Sequence, residues 1–141
     1  MAVDLSEDSD RVAQRACALA NAARVEDADA TSLHVIHVIE PLSFAYGGDI
    51  PMDFSGIQDE IHQQARTQLD RFAEQHGINA DARHVVLGQP EVEIHALAEE
   101  LGADLIVVGS HGRYGLALLM GSTANGVLHG ASCDVLAVRV G

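Results

Sequence analysis

Residues 104–128 read DLIVVGSHGRYGLALLMGSTANGVL, and the reading of this stretch decides the fold. Asp104 to Val108 is a short, unbroken aliphatic run, the composition of a strand buried on both faces, as strands of parallel sheets are. A glycine-rich segment follows from Gly109 to about Gly121. Ala124, Val127, Leu128 and Ala131 then recur at helical spacing. A strand, a glycine loop and a helix make the repeating unit of an open parallel sheet. Ligands of such sheets sit beyond the carboxyl ends of the strands, near the point where strand order reverses.

Outward from this unit, short aliphatic runs alternate with helical periods along the whole chain, which predicts an α/β fold with a parallel sheet. Ala2-Val3-Asp4-Leu5 is the first run. Ser6 offers a helix cap, and Val12, Ala16, Leu19, Ala20 and Ala23 form a helical face behind it. Thr31 to Ile39 (TSLHVIHVI) is rich in β-branched residues and predicts the second strand. Ile57, Ile61, Ala65, Leu69, Phe72 and Ala73 line one face of a second helix that Gly77 stops. Ala82 to Leu87 form a third strand, less apolar than the rest and so expected near an edge. Pro90 suits the first turn of a third helix carrying Ile94, Leu97, Ala98 and Leu101, which Gly102 ends. Asp134 to Val140 make the fifth strand. Residues 1–141 read as one domain with no repeat.

Composition narrows the function classes. Three Phe, two Tyr and no Trp leave an aliphatic core. Eight basic residues, every one an Arg, face 21 acidic ones for a net charge of −13. Such a surface repels phosphodiester backbones and disfavours nucleic acid as a partner. It fits a salt-tolerant source or ordinary solubilising charge equally well. No aliphatic run is long enough to span a bilayer, and the acidic start is unlike a signal peptide; a cytoplasmic protein is expected. Cys17 and Cys133 form no metal or redox motif and are expected as small apolar core residues. The opening strand holds only about four or five residues, which suggests a natural start a few residues upstream.

Two strand-to-helix turns could carry chemistry. The first, Asp4 to Asp10, has no glycine and several carboxylates, so it cannot cradle a pyrophosphate. The turn after the fourth strand offers backbone that approaches a ligand closely, the cation Arg113, and a helix opening at Gly121-Ser122-Thr123 whose free N–H groups favour an anion. Spacing alone leaves phosphate binding and a purely conformational glycine loop both open. The connection from Pro41 to Ser55 is long and holds Phe44, Tyr46, Ile50, Met52 and Phe54. It either covers a pocket, meets another subunit, or tucks onto the core. His34 and His37, three apart on a strand, point to opposite faces and cannot chelate one metal. His111 reads equally as a phosphate contact or a solvated loop residue. Glu91, Glu93 and His95 open a helix without an HExxH pattern, so no zinc site is expected. No serine has a recognisable base partner.

VGSHGRYGLALLMGSTANGVL resembles the signature of the universal stress protein family, a Gly-x-x-Gly pair followed by Gly-Ser or Gly-Thr. AVDLS at the start, HVIEP at His37 to Pro41, the Gly-x-Pro turn at Gly88 and CDVLAV near the end resemble the same family, so the likeness spans the chain. It implies a five-stranded parallel sheet in the order 3-2-1-4-5 with helices on both faces, of the adenine nucleotide alpha hydrolase-like type, its first strand truncated. It also implies a homodimer through the C-terminal strand. Some family members bind ATP and others do not. In the binders, the residues corresponding to Val3 and Asp4 meet the ribose or phosphate side, Val38 holds adenine by its backbone, and Gly109, Gly112, Arg113, Gly121, Ser122 and Thr123 lie along the phosphates. Eight residues separate Gly112 from Gly121, one fewer than in the usual binding signature. AVDLS resembles the non-binding type, whereas the retained glycines resemble the binders. The expectation is a stress-response regulatory protein binding ATP, with or without Mg²⁺. The alternative is a non-nucleotide-binding dimer acting through protein–protein contacts. No general base can be named, so slow ATP hydrolysis is the most enzymatic activity expected. A transferase or ligase of related architecture would need an SGGxDS loop or an HxGH motif, and neither occurs.

Overall fold

The computed structural model describes residues 1–26, 31–41, 55–111 and 120–140. The connection holding Phe44 to Phe54, together with Gly112 and Arg113, lies outside them. In chain order the elements are α1 (Ser9–Glu26), β1 (Val35–Ile39), α2 (Ser55–Gln75), a 3₁₀ turn (Ala80–Ala82), β2 (Arg83–Leu87), α3 (Pro90–Leu101), β3 (Leu105–Gly109), α4 (Ser122–Gly130) and β4 (Asp134–Val138). The fold is α/β, and both strand pairs are parallel. β1 pairs with β2, Val35 opposite Arg83 through Ile39 opposite Leu87, and β3 pairs with β4, Leu105 opposite Asp134 through Gly109 opposite Val138.

The first expected strand is reduced to one parallel bridge, Ala2 opposite Ile36. The chain turns at Asp4, so only three residues can join a ladder. Their backbone nevertheless reaches both strand pairs. Ala2 N–H donates to Val107 O at 2.9 Å, Val3 N–H to Ile36 O at 3.0 Å, and Ile36 N–H to Met1 O at 2.9 Å.

Alternation along the strands separates two cores. Val3, Val35 and Val107 point into one, with Val12, Ala13 and Ala16 of α1 and Leu69, Phe72 and Ala73 of α2. Ile36, Ile106 and Val108 point into the other, with Ile94 of α3 and Ala124 and Val127 of α4. Period-two strands against helices at 3.6-residue spacing thus place helices on both faces. The helical faces read from sequence are narrower than expected. Leu19 is 39% and Ile57 51% exposed, because the cores receive only the middle of α1 and the later turns of α2. Both cysteines are half-buried and reduced rather than fully in the core. β2 is half-exposed throughout and bonds only to β1 among the described residues, as a strand near an edge should.

The helix ends follow their sequence signals. Pro90 opens α3, and Gly102 at φ 62° closes it, its N–H donating to Ala98 and Glu99 carbonyls. That left-handed geometry is cheap for glycine alone. α3 and α4 meet through Gly126 and Gly130, one turn apart. A Cβ at Gly126 would lie 3.0 Å from Glu91 Cβ, and one at Gly130 would collide with the His95 ring. His95 Nε2–H donates to Val127 O at 2.8 Å across the same contact. Glu91 and His95, two of the three residues weighed for zinc, therefore shape a helix contact. His34 and His37 also have separate partners. His34 Nδ1 stands 3.0 Å from His84 Nε2, and His37 Nδ1–H donates to Val3 O at 2.9 Å.

Two stability predictions follow from these contacts. Gly130→Ala adds a methyl where the imidazole already sits and should lower stability by about 1–3 kcal/mol. Gly56→Ala in α2, where a Cβ meets nothing within 4 Å, should not destabilise; urea melts of the two compare them. Burial, and then the neighbouring His34, hold His84 below its ordinary value of 6.5. The unfolded chain therefore takes up this proton first on acidification. Stability should fall as pH drops through about 6.5 and level once the folded His84 is also protonated. His84→Phe should flatten that slope in melts between pH 7.5 and 5, and an unchanged slope would count against this origin.

Candidate functional site

At the carboxyl ends of β1 and β3 a cavity of about 120 Å³ opens between the two strand pairs. It collects Val3 and Asp4 from the first turn, Asp8 and Ser9 at the start of α1, His37 and Val38 from β1, Gly109 and His111 after β3, and Thr123 and Ala124 from α4. Residues more than a hundred positions apart meet there because residues 1–3 hold both strand pairs side by side. Of the site residues expected from sequence, Val3, Asp4, Val38, Gly109 and Thr123 line the cavity. Gly121 and Ser122 stand one and two residues before Thr123 but do not line it. Gly112 and Arg113 lie outside the described residues.

Asp4 organises one wall. Its Oδ1 accepts from Ser6 N–H at 3.0 Å, Ser6 Oγ–H at 2.6 Å and Ser9 Oγ–H at 3.0 Å. Ser6, expected as the cap of α1, instead closes this turn, and the helix begins at Ser9. Leu5 between them takes φ 59°, a left-handed conformation costing about 1–2 kcal/mol for a residue with a Cβ. Partial burial works to raise the Asp4 pKa, but the bonds from Ser6 and Ser9 outweigh it and hold the carboxyl below its ordinary 3.8. Asp4 is thus an anion at neutral pH. Oδ2 has no hydrogen-bond partner among the described residues and keeps its capacity to accept.

The opposite wall is built on Ser110. Its N–H donates to Val138 O at 2.8 Å, its hydroxyl accepts from Val140 N–H at 3.2 Å, and its carbonyl accepts from Gly121 N–H at 2.6 Å. Ser110 therefore ties β3, the end of β4 and the start of α4 together. The amides of Ser110 and Gly121 are taken up in doing so. Those of Ser122, Thr123 and Ala124 precede the first intrahelical donor, Asn125, and have no partner among the described residues. Three orphan donors at a helix start favour negative charge.

Two histidines that the sequence left unassigned join the cavity. His37 donates through Nδ1 to the Val3 carbonyl, so Nδ1 carries a proton and the ring orientation is fixed. His111 has a buried Nδ1 with no hydrogen-bond partner among the described residues. Nothing in the spacing of either residue distinguishes it from a core or loop histidine; only the closing of the first turn against β1 and β3 brings them together. Asp8 likewise reads as one acidic residue among several until α1 places it at the rim.

The universal stress protein family model matches residues 1–139. The chain belongs to the universal stress protein family. Universal stress protein A homolog 2 of Coxiella burnetii is 44% identical over 111 residues, covering 77% of this chain and 74% of that protein. Universal stress protein A homolog 1 of the same organism is 40% identical over 139 residues, 97% of this chain and 92% of its own length. A solved universal stress protein in complex with cAMP superposes with a TM-score of 0.59 at 25% identity, covering 99% of this chain and 93% of that one. The family is that of the stress response. Among the described residues no helix is long and apolar enough to cross a membrane, and no group of three or more metal-ligating side chains occurs.

Removing the Asp4 carboxylate tests the first wall. Asp4→Ala loses every bond to Oδ1 and should cost about 1–2 kcal/mol, in the range of a lost helix cap. The Asp4 contribution is present at neutral pH and disappears as pH falls through its depressed folded value, below 3.8. The wild type should lose its advantage over Asp4→Ala in acid melts, and a constant difference down to pH 2 would contradict this.

Proposed function

We propose that this universal stress protein binds an adenine nucleotide, ATP, in the cavity at the carboxyl ends of β1 and β3. One observation carries the reading. Val3, Asp4, Val38, Gly109 and Thr123, each assigned a nucleotide contact by family resemblance, are gathered around one cavity by four separate parts of the chain. The polar groups divide in a way that suits such a ligand. Asp4 Oδ2 is an anionic acceptor for ribose hydroxyls, whereas the orphan amides of α4 are donors for phosphate oxygens. Val38 ends β1, where its backbone can meet the base. Among the described residues no group of three or more side chains could hold a metal ion, so Mg²⁺ carried with ATP would be held by the phosphates rather than by Asp4 and Asp8. The cAMP complex of a family relative supports a nucleotide as ligand class. At about 120 Å³ the cavity is below the roughly 300–1,000 Å³ of small-molecule sites. A whole nucleotide therefore extends past the described walls.

The sheet belongs to the same reading. We place residues 1–3 as the middle strand of a single sheet in the order 3-2-1-4-5, supported by their hydrogen bonds to Ile36 on one side and Val107 on the other. A second reading is favoured by the small cavity and by the outer edge of β4, which is unpaired among the described residues. In it the protein holds no nucleotide and acts through protein contacts, as a homodimer through its last strand.

Calorimetric titration of ligand-stripped protein with ATP, AMP and cAMP separates the two. ATP binding is expected, and Gly121→Leu should abolish it without unfolding, since Gly121 sits at φ −59°, open to any residue. Tight binding untouched by Gly121→Leu and Asp4→Ala would move the site elsewhere. No binding of any of the three nucleotides would leave the second reading.

A further inference from the structure

His111 lines the cavity together with Asp4, Asp8 and Thr123, yet its side chain has no hydrogen bond or ion pair among the described residues. Its Nδ1 is buried. A buried polar atom without a partner has given up its bond to water and received nothing in return. Such groups are rare in folded proteins, and each one calls for a reason. A histidine free in a solvated loop would wet both nitrogens, whereas this one has a nitrogen sealed in the wall. Neither Asp4 nor Asp8 takes a bond from the ring, although both line the same cavity; Asp4 Oδ1 is filled by Ser6 and Ser9. The backbone leading to His111 is fixed as well. Ser110 bonds to Val138, Val140 and Gly121, so the imidazole is carried by a point tied to β3, β4 and α4 at once.

We propose that His111 is a specificity-determining residue of this cavity, donating from Nε2–H to a phosphate oxygen of the bound nucleotide; this rests on the nucleotide reading above. Neutral imidazole carries a single proton. Placed on Nδ1, it would be a buried N–H without an acceptor, so Nε2 carries it. With Nδ1 sealed in the wall, Nε2 is the polar atom that the ring offers to the cavity. Its neighbourhood selects the part of the ligand it meets. The bond from Gly121 N–H to Ser110 O brings His111 beside the start of α4. The amides of Ser122 to Ala124 draw negative charge to that side, and a side-chain donor next to them meets the same oxygens. A hydrogen bond to a charged acceptor is about twice as strong as one between neutral groups. The contact therefore separates a nucleotide from the nucleoside that lacks the phosphate. An apolar ring would suit the wall better, which is what makes an imidazole there informative.

The test is calorimetric titration of the intact, ligand-stripped chain with ATP and with adenosine, for the wild type and three variants. His111→Gln can place an amide N–H where Nε2 stands, His111→Asn reaches only as far as Nδ1, and His111→Phe keeps a ring without a donor. The Asn and Phe variants should each bind ATP at least about tenfold more weakly and adenosine as the wild type does. The Gln variant should stay within about threefold of the wild type for both ligands. Melting temperatures near that of the wild type are expected throughout, since no bond is lost with the imidazole. If Phe does not fit the wall, the Gln and Asn pair decides alone. The proposal is overturned if the wild type binds ATP and the Asn and Phe variants bind it equally well. Loss of adenosine in the same proportion as ATP, or a loss in the Gln variant as large as in Asn, overturns it too. A wild type that binds neither ATP nor adenosine brings down the nucleotide reading itself, and this proposal with it.

Discussion

The backbone of Met1, Ala2 and Val3 is bonded to Val107 on one side and Ile36 on the other, and the arrangement of everything else depends on it. Each strand pair alone is a two-stranded unit, marginal in water without a third strand or a helix beneath it. Residues 1–3 convert two such units into a common platform. Val3 enters the core under α1 and α2, and Ala2 packs on the core under α3 and α4. A one-residue slip of this segment would exchange those two side chains between faces. It would also carry Asp4 away from the ends of β1 and β3. Register in three residues therefore sets both the layering of the domain and the position of the cavity.

The turn after them shows how the site and the fold share one set of bonds. Leu5 sits in a conformation that leucine resists, and it is held there by Ser6 and Ser9 converging on a single carboxylate oxygen. The strain persists because the surroundings over-determine it. The result is an Asp4 whose Oδ1 is structural and whose Oδ2 is left to the cavity. His76 adds a second tie on the same helix, its Nε2 lying 2.9 Å from Asp10 at the start of α1. The wall of the cavity is thus fixed from both the turn and the far end of α2.

Legibility in the sequence followed the range of the interactions. Local signals were reliable: Pro90 and Gly102 bracket α3, Gly77 follows α2 at φ 69°, and the DLIVV run holds the buried Ile106, Val107 and Val108. Helical faces were legible in their centres but not their ends, since exposure of Leu19 and Ile57 depends on how far the cores extend. The start of α1 was misplaced because Ser6 could cap a helix or close a turn, and only Asp4 decides between them. At the site, Asp4 and Val38 were reached through family resemblance, whereas Thr123 was legible from the helix opening at Gly121 as well. His111 was legible only as one of two even readings, and His37 and Asp8 carry no local mark of a site. Their shared location is a property of strand register, which spacing along one segment cannot express.

The distribution of charge gives these observations a common direction. Asp4 and Asp8 line the cavity on the first-turn side, and the start of α4 on the other side carries the amides of Ser122 to Ala124, which have no partner among the described residues. A phosphate near Asp4 and Asp8 would meet repulsion in a partly dry site, where screening is weak. The same phosphate at the start of α4 meets N–H donors and the positive end of a helix. The nucleotide proposed above would therefore lie with its hydroxyl-bearing part toward Asp4 and its charge toward the start of α4. That polarity of charge arises from a turn without glycine at one end and a helix without a side-chain cap at the other.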